Sequence, residues 1–597
     1  MSKKKVLVNY TDRDFNSIKK NLEEHARLYY PDSYRDFSEN SFGSYVLDTV
    51  AYVGDMLSFY LDYQVNESFL ETSLEYENVR RKASRYGYSF FGRPAAYGIV
   101  TLYVKVPTNN SGIGPDMNKV PMLKSGAEFT SDAGTRFILT EDVNFADPKN
   151  DMVASTFSNT TGKPTEYAIR AFGQVRSTSL YRITLEIDDF VKMRKVLVGP
   201  SSISAIHSVR DSAGHEYYEV KHLSQDTVYV GTTNPSAKVD GVTEIIKSKI
   251  VKRRFVMTQD SSGTYLQFGQ GDDESVGEVD YFDPISATLK MSGRNYISDT
   301  SFDPNNLLNN GNLGIGPSNT TLTILFYQNE EDSINMSAGT INNVGFSSLE
   351  FPTTNPILAT DVASIRNSLE VYNDKPIVGS TALPTTEEIR YRSYGSMAAQ
   401  DRTVTRNDYE AFCYLMPPQY GSVKRASIIN DPSSTNRRLS LYVISNDDQG
   451  YLIETNSTIK NNLKQWLNNS KMLNDNIDIY SPFVINIGID FEIIIDPTMD
   501  KVAVLNQAKI VLTRETADKM YIGESFSVST IFNILNKVDG VIDTTVVTPV
   551  IKTGTGYSPS PVSIFELKSQ NGLYLKAPKN AIFEIKFPSR DIRGSAV

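Results

Sequence analysis

Between Ser44 and Gln64 the chain reads SYVLDTVAYVGDMLSFYLDYQ, and in steps of seven its columns separate. Asp48, Asp55 and Asp62 form one column, Tyr45, Tyr52 and Phe59 a second, and Ser44, Ala51 and Ser58 a column of small residues. At about 100° per residue, seven residues return to nearly the same azimuth, so each column is a stripe along a helix. Away from the charged stripe, Val46, Val50, Val53, Leu57 and Tyr60 alternate at spacings of four and three, the seam of a helix that packs on helices. The length suits a membrane span of about 20 residues. The three aspartates argue against insertion, each costing about 2.5–3.5 kcal/mol near the bilayer centre. Two readings stay open from this stretch: the central core helix of one globular domain, or a helix of an intersubunit bundle.

The flanking pattern is helical from 1 to about 90. Phe15, Ile18, Leu22 and Tyr29 make a helical stripe. Thr11 with Asp14 resembles a capping box at its start, and Pro31 ends it. A third helix is expected from about Ser73 to Tyr86, stopped by Gly87, with Glu71, Glu75 and Glu77 early and Arg80, Arg81, Lys82 and Arg85 late, as the helix dipole favours.

At Tyr97 the period changes to two. Val100, Leu102, Val104 and Val106 alternate with Thr101, Tyr103 and Lys105, a half-buried strand. Strand-like segments recur at Glu128–Leu139, Thr165–Val175, Arg182–Ile187, Val228–Val230, Lys249–Met257, Tyr265–Phe268 and Thr321–Tyr327, with long loops at Asn109–Pro115 and Asp303–Ser318. Residues 97–345 read as β-rich middle modules, two in number.

Helical pattern returns at Asp361–Tyr372. A capped helix at Thr385-Thr386-Glu387-Glu388 runs towards Ala399, and another starts at Thr405 with Asp408, carrying Tyr409, Phe412, Cys413 and Met416 until Pro417-Pro418. Strands at Ser422–Ile429 and Leu439–Ile444, a helix through Ile459, Leu463 and Leu467, a β-branched stretch Ile477–Ile495 with a turn at Pro482, helices at about 501–518 and 528–538, and a strand Val541–Val547 after Gly540 complete the chain. The fold class is α+β multidomain: a helical part over 1–96, β-rich middle modules over 97–345 and an α+β C-terminal part over 346–597.

Composition narrows the function classes. A chain of 597 residues has ample core for several domains. A net charge of −10 and a pI near 5.2 disfavour bulk nucleic-acid binding, which needs basic surface, and Lys3-Lys4-Lys5 is too short to change that. The one cysteine, Cys413, excludes an internal disulfide framework and fits a reducing cytosol. The basic N-terminus is followed by no apolar core, so no signal peptide is expected. The 34 tyrosines suit β-rich and interface-forming proteins.

Candidate chemistry is thin. His207, His215 and His222, spaced by eight and seven, could meet on a hairpin to hold Zn²⁺, but surface histidines are the better reading, with no compact ligand motif present. Gly269-Gln270-Gly271 lacks the third glycine and following helix of a dinucleotide loop and reads as a tight turn. Gly311–Pro317 opens no helix either. Cys413 on an apolar stripe reads as a buried thiol rather than a nucleophile. Asp272-Asp273-Glu274 and the trio Glu186, Asp188 and Asp189 offer carboxylates, but nothing places a pair at glycosidase separation. No catalytic, cofactor-binding or metal site is expected, and no cofactor.

Three stretches carry a family resemblance. They are residues 36–88, DFSENSFGSYVLDTVAYVGDMLSFYLDYQVNESFLETSLEYENVRRKASRYGY; residues 382–412, ALPTTEEIRYRSYGSMAAQDRTVTRNDYEAF, continuing into Gly421–Ile429; and the C-terminal order of KMLND, a β-rich stretch and a helix ending in Val538-Asp539-Gly540-Val541. Together they resemble the baseplate J-like proteins of contractile-tailed phages; over 97–345 the resemblance is generic. It implies a non-enzymatic baseplate wedge subunit in the virion tail, assembled in the host cytoplasm. Two copies would dimerise within a wedge through helices, join other wedge subunits, and close a ring between wedges beside sheath-initiator and hub proteins, with no nucleic acid or membrane partner. The seam Val46, Val50, Val53, Leu57 and Tyr60 is the expected helix interface. The competing reading is a β-sandwich carbohydrate-binding or depolymerising tail protein that uses the aromatic-rich 97–345 region. A receptor-binding fibre would show repeats, and none is seen.

Overall fold

The structure is a computed structural model that describes residues 14–30, 41–109, 112–158, 162–225, 227–233, 244–271, 313–329, 334–352, 357–430, 438–516, 520–559 and 562–596. The protein is α+β and multidomain, with a helical N-terminal part, a β-rich middle and a mixed C-terminal part. By contacts the chain divides into two compact units, Met1–Ser89 with Pro384–Asp401, and Phe90–Leu383 with Arg402–Val597.

The first unit holds α1 (Phe15–Tyr29), α2 (Phe42–Asn66), α3 (Tyr76–Arg85) and the helix Thr386–Ala399. The expected cap at Thr11 lies outside the described residues. The described start of α1 is capped by Asp14, whose Oδ1 accepts from the Ser17 amide at 3.0 Å while the Asp14 amide donates to Ser17 Oγ at 3.2 Å. α3 begins three residues later than its periodicity predicts, and Glu67 is the reason. Its carboxylate accepts from the amides of Leu74 (2.5 Å) and Glu75 (3.2 Å), from Ser73 Oγ (2.9 Å) and from Asn78 Nδ2 (2.8 Å), which holds 73–75 out of the helix. Burial alone would raise this carboxyl, but the donors at Leu74, Asn78, Ser73 and Glu75 outweigh it and hold Glu67 below the ordinary glutamate range. The other end is as expected. Gly87 takes a positive φ of 84°, the Tyr88 amide donates to the Ala83 carbonyl (3.1 Å) and the Gly87 amide to the Ser84 carbonyl (3.2 Å), a Schellman closure. Val79 and Ala83 are buried where α3 packs on the helix Thr386–Ala399, which contributes buried Ile389 and Ser393 and is capped by the expected Thr385–Glu388 box.

In the second unit, strand Tyr97–Pro107 buries Val100, Leu102, Val104 and Val106 completely, as the alternation predicts. It runs antiparallel to Pro164–Ser177 from Tyr97↔Arg176 to Pro107↔Glu166, inside a seven-stranded sheet with Arg136–Leu139, Glu128–Ser131, Ile341–Val344, Glu370–Tyr372 and Asp151–Phe157. Two expectations are corrected here. Glu128–Leu139 is a hairpin of two short strands, because Gly134 turns the chain between Ser131 and Arg136. The segment Asp361–Tyr372 is helical only within Ala359–Asn367. Val371 is drawn into the ladder opposite Leu102 and buried there, so tertiary pairing overrides the helical pattern.

A second seven-stranded sheet runs Ser179–Ile187, Thr320–Gln328, Ile203–Arg210, Glu216–Glu219, Arg254–Asp260, Gly263–Phe268 and Lys195–Gly199, over a core of Phe255, Leu266, Phe268, Leu322, Ile324 and Phe326. The expected strand Lys249–Met257 is interrupted. Glu244–Ile250 pairs with Thr227–Thr233, and the chain re-enters a sheet only at Arg254, whose buried guanidinium donates to the Leu223 (2.6 Å) and Val251 (2.8 Å) carbonyls.

The C-terminal part follows its pattern closely. The Thr405–Asp408 box caps a helix over Arg406–Tyr414, and Ile459, Leu463 and Leu467 are fully buried along Ser457–Asn468. The β-branched stretch is two strands, Asn476–Tyr480 and Phe483–Ile495, parted at Ser481-Pro482. The second buries Ile485, Ile487, Ile489, Phe491, Ile493 and Ile495 beneath helices Lys501–Thr516 and Val528–Leu535. It pairs antiparallel with Val541–Ile551 and parallel with Ala581–Glu584 and Ile592–Ala596.

Candidate assembly interface

The columns of α2 sort by what covers them. Ser41 caps the helix by accepting from the Ser44 amide at 3.1 Å. The small column faces inwards: Ser44 and Ala51 are buried, and a Cβ on Gly54 would sit 3.3 Å from Ile18 Cδ1, so α1 lies against this face. Asp48 receives Lys19 at 2.8 Å, which ties the charged column to α1 as well. The seam is on the outside. Val46 is 42 % exposed, Val50 49 %, Val53 48 %, Leu57 60 % and Tyr60 61 %. Phe42, Tyr45, Tyr52, Met56, Phe59 and Leu61 are exposed too. A contiguous exposed apolar surface of this kind is what association sites present, and it makes the seam the candidate interface. Covering the exposed half of each yields roughly half of the about 1.5–3 kcal/mol gained by fully burying a large side chain.

The turn that follows α2 is hydrogen-bonded to the helix Thr386–Ala399. Arg390 donates through Nε to the Leu70 carbonyl at 2.8 Å, through Nη1 to Glu387 at 3.0 Å and through Nη2 to the Ser73 carbonyl. Tyr394 donates to Glu71 at 3.0 Å. Glu67 and Arg390 were not singled out from sequence. Glu67 lies within six to eleven residues of its donors, but Arg390 meets Leu70 and Ser73 across more than three hundred positions.

The weaker candidates disperse. His207 lies on strand Ile203–Arg210 with Nδ1 3.0 Å from Tyr327 Oη, His215 sits at the following turn with Nδ1 3.0 Å from Asp211 Oδ2, and His222 is exposed beyond it. Among the described residues no three His, Cys, Asp or Glu side chains are grouped to hold a metal ion, and no helix is long and apolar enough to cross a membrane. The two glycine-rich stretches meet each other: Gly271 donates to the Gly314 carbonyl and Gly316 to the Gly271 carbonyl, both at 2.9 Å. A Cβ on Gly269 would fall 2.0 Å from the Gly314 carbonyl oxygen, so glycine is required for this close backbone approach rather than for a phosphate. Cys413 is buried and unpaired by disulfide, and burial pushes its thiol up, away from nucleophilic reactivity. Glu186 is exposed on strand Ser179–Ile187, just ahead of Asp188 and Asp189, while Asp272-Asp273-Glu274 lies outside the described residues.

Residues 14–84 match the family model described as bacteriophage baseplate protein, N-terminal domain. No curated protein matches the chain. Among solved structures, a chain of "Cryo-EM structure of the anti-feeding prophage (AFP) baseplate, 6-fold symmetrised" aligns with TM-score 0.26 and 10 % identity, covering 97 % of this chain and 99 % of that one. A chain of "Structure of the type VI secretion system TssK-TssF-TssG baseplate subcomplex revealed by cryo-electron microscopy - full map sharpened" aligns with TM-score 0.22 and 8 % identity, covering 73 % and 95 %. The N-terminal match covers α1, α2 and all but the last residue of α3.

Proposed function

We propose that this chain is a structural wedge subunit of a contractile-tailed phage baseplate, which dimerises through the α2 seam. It joins other wedge proteins, and its C-terminal part closes an inner ring around the hub, next to the sheath-initiator, that holds and triggers the sheath. In length and order of elements it resembles the T-even-type baseplate wedge protein, gene product six. The reading divides the chain into a wedge-bundle region (1–96), middle modules (97–345) and a ring-forming region (346–597), assigns it to the virion tail baseplate after assembly in the host cytoplasm, and calls on no catalytic group, nucleic acid or membrane. The observation that carries it is the exposed seam of Val46, Val50, Val53, Leu57 and Tyr60 inside the segment that matches a baseplate domain. Val53→Asp tests it. A charge at the centre of a covered seam costs several kcal/mol, whereas at a half-exposed site of the free chain it costs little. Association should be lost while the circular-dichroism spectrum is retained. Loss of the whole spectrum would make α2 an internal core helix.

A further inference from the structure

Sheet edges are the other surfaces from which subunits are built, and three exposed edge strands of this chain differ in how they are protected. Asp151–Phe157 pairs on one side only and carries two shifts of register. Val541–Ile551 carries two more and a proline, Pro549, without an amide hydrogen. Bulges and proline blunt an edge against further pairing. Ser179–Ile187 has neither: its nine residues pair with Thr320–Gln328 without a shift, from Ser179↔Gln328 to Ile187↔Thr320, and no strand among the described residues pairs its other side.

The residues on this strand complement themselves. Tyr181, Ile183, Leu185 and Ile187 point to the sheet's apolar face, where Tyr181 stacks on Phe326 and Ile183 and Leu185 are only partly covered. Leu180, Arg182, Thr184 and Glu186 point to the opposite face and are exposed; neither Arg182 nor Glu186 has an ion-pair partner among the described residues. Alternate residues of an edge strand turn their N–H and C=O outwards, so two copies can pair antiparallel only about a residue, not between two. Centring the two-fold on Thr184 places Arg182 of one copy opposite Glu186 of the other, twice, by symmetry. It also sets Ile183 opposite Leu185 and Tyr181 opposite Ile187, which continues the apolar face from one sheet into the next. Centring on Ile183 instead sets Leu180 opposite Glu186 and leaves both charges unmatched.

We infer that the Ser179–Ile187 edge is an isologous contact with a second copy of this chain, in antiparallel register about Thr184. The contact is separate from the α2 seam and does not depend on it. A single strand pair is weak alone, so it is read by covalent trapping rather than as a stable dimer.

The test uses the full chain with Thr184→Cys. In this register the two Cα atoms lie about 4.5–5.5 Å apart, within disulfide reach, and the native Cys413 is buried. Mild oxidation should give a disulfide-linked dimer. Adding Arg182→Glu, which sets carboxylates opposite each other, should cut the linked fraction about tenfold, and adding Glu186→Arg as well should restore it. The link should persist when Val53→Asp is combined with Thr184→Cys. No linked dimer from a variant with unchanged melting temperature overturns the inference. So does a link whose yield ignores the charge reversals, or one that disappears with Val53→Asp.

Discussion

Glu67 shows how one side chain sets where an element begins. Four donors converge on its carboxylate, and three of the residues they belong to, Ser73, Leu74 and Glu75, stay outside α3 although the pattern is helical from Ser73, while the fourth, Asn78, reaches back from the first turn of the helix. Its carboxyl lies below the ordinary glutamate range in the folded chain, so the stability it contributes is fully present above the unfolded value of about 4.3 and is lost as pH falls through the lower folded value. Glu67→Gln, which removes the charge from this cluster, is expected to lower stability by about 1–3 kcal/mol at pH 7. Thermal unfolding of wild type and variant between pH 7 and pH 3 should show the gap closing towards acid. A gap that stays constant would mean that the charge of Glu67 is not what the donors hold. This cluster could not be read from the sequence, because a glutamate that follows a helix is ordinarily a solvated end.

At the scale of elements, α2 was legible as a long amphipathic helix over Ser44–Gln64 from its separated columns, while the Ser41 cap and the full extent Phe42–Asn66 were not read from the spacing. The sequence also held the alternation of Val100, Leu102, Val104 and Val106 and the boxes at Thr385 and Thr405. What spacing cannot supply is which neighbour arrives. The short helix Ala359–Asn367 yields to a strand because Leu102 lies opposite Val371, and the hairpin at Gly134 reads as one strand because both of its arms are apolar. Within α2, the face that carries α1 is the small column and Gly54, not the valine seam. Gly54→Leu therefore has two opposed effects. It gains about 1 kcal/mol of helix propensity and costs about 1–3 kcal/mol by overpacking against Ile18. The second term wins, so amide exchange in α1 should accelerate while α3 is unaffected. Unchanged protection of α1 would mean that Ile18 can move aside.

At the scale of the whole molecule, the first unit is assembled from distant pieces. Residues 384–401 join the first 89, and the helix Thr386–Ala399 packs on α3. The resemblance around residues 36–88 and 382–412 covers both pieces, but no periodicity says that they touch. The organisation leaves the seam of α2 outside the unit's own packing, where the proposed contact with another copy lies. The most direct measurement is molar mass in solution by size exclusion with light scattering, on the wild-type chain and on Val53→Asp. The chain mass is 66.6 kDa. The account predicts a dimer of twice that mass for the wild type and a single-chain mass for the variant. A wild-type mass of one chain at every concentration, or a dimer indifferent to Val53→Asp, would contradict it.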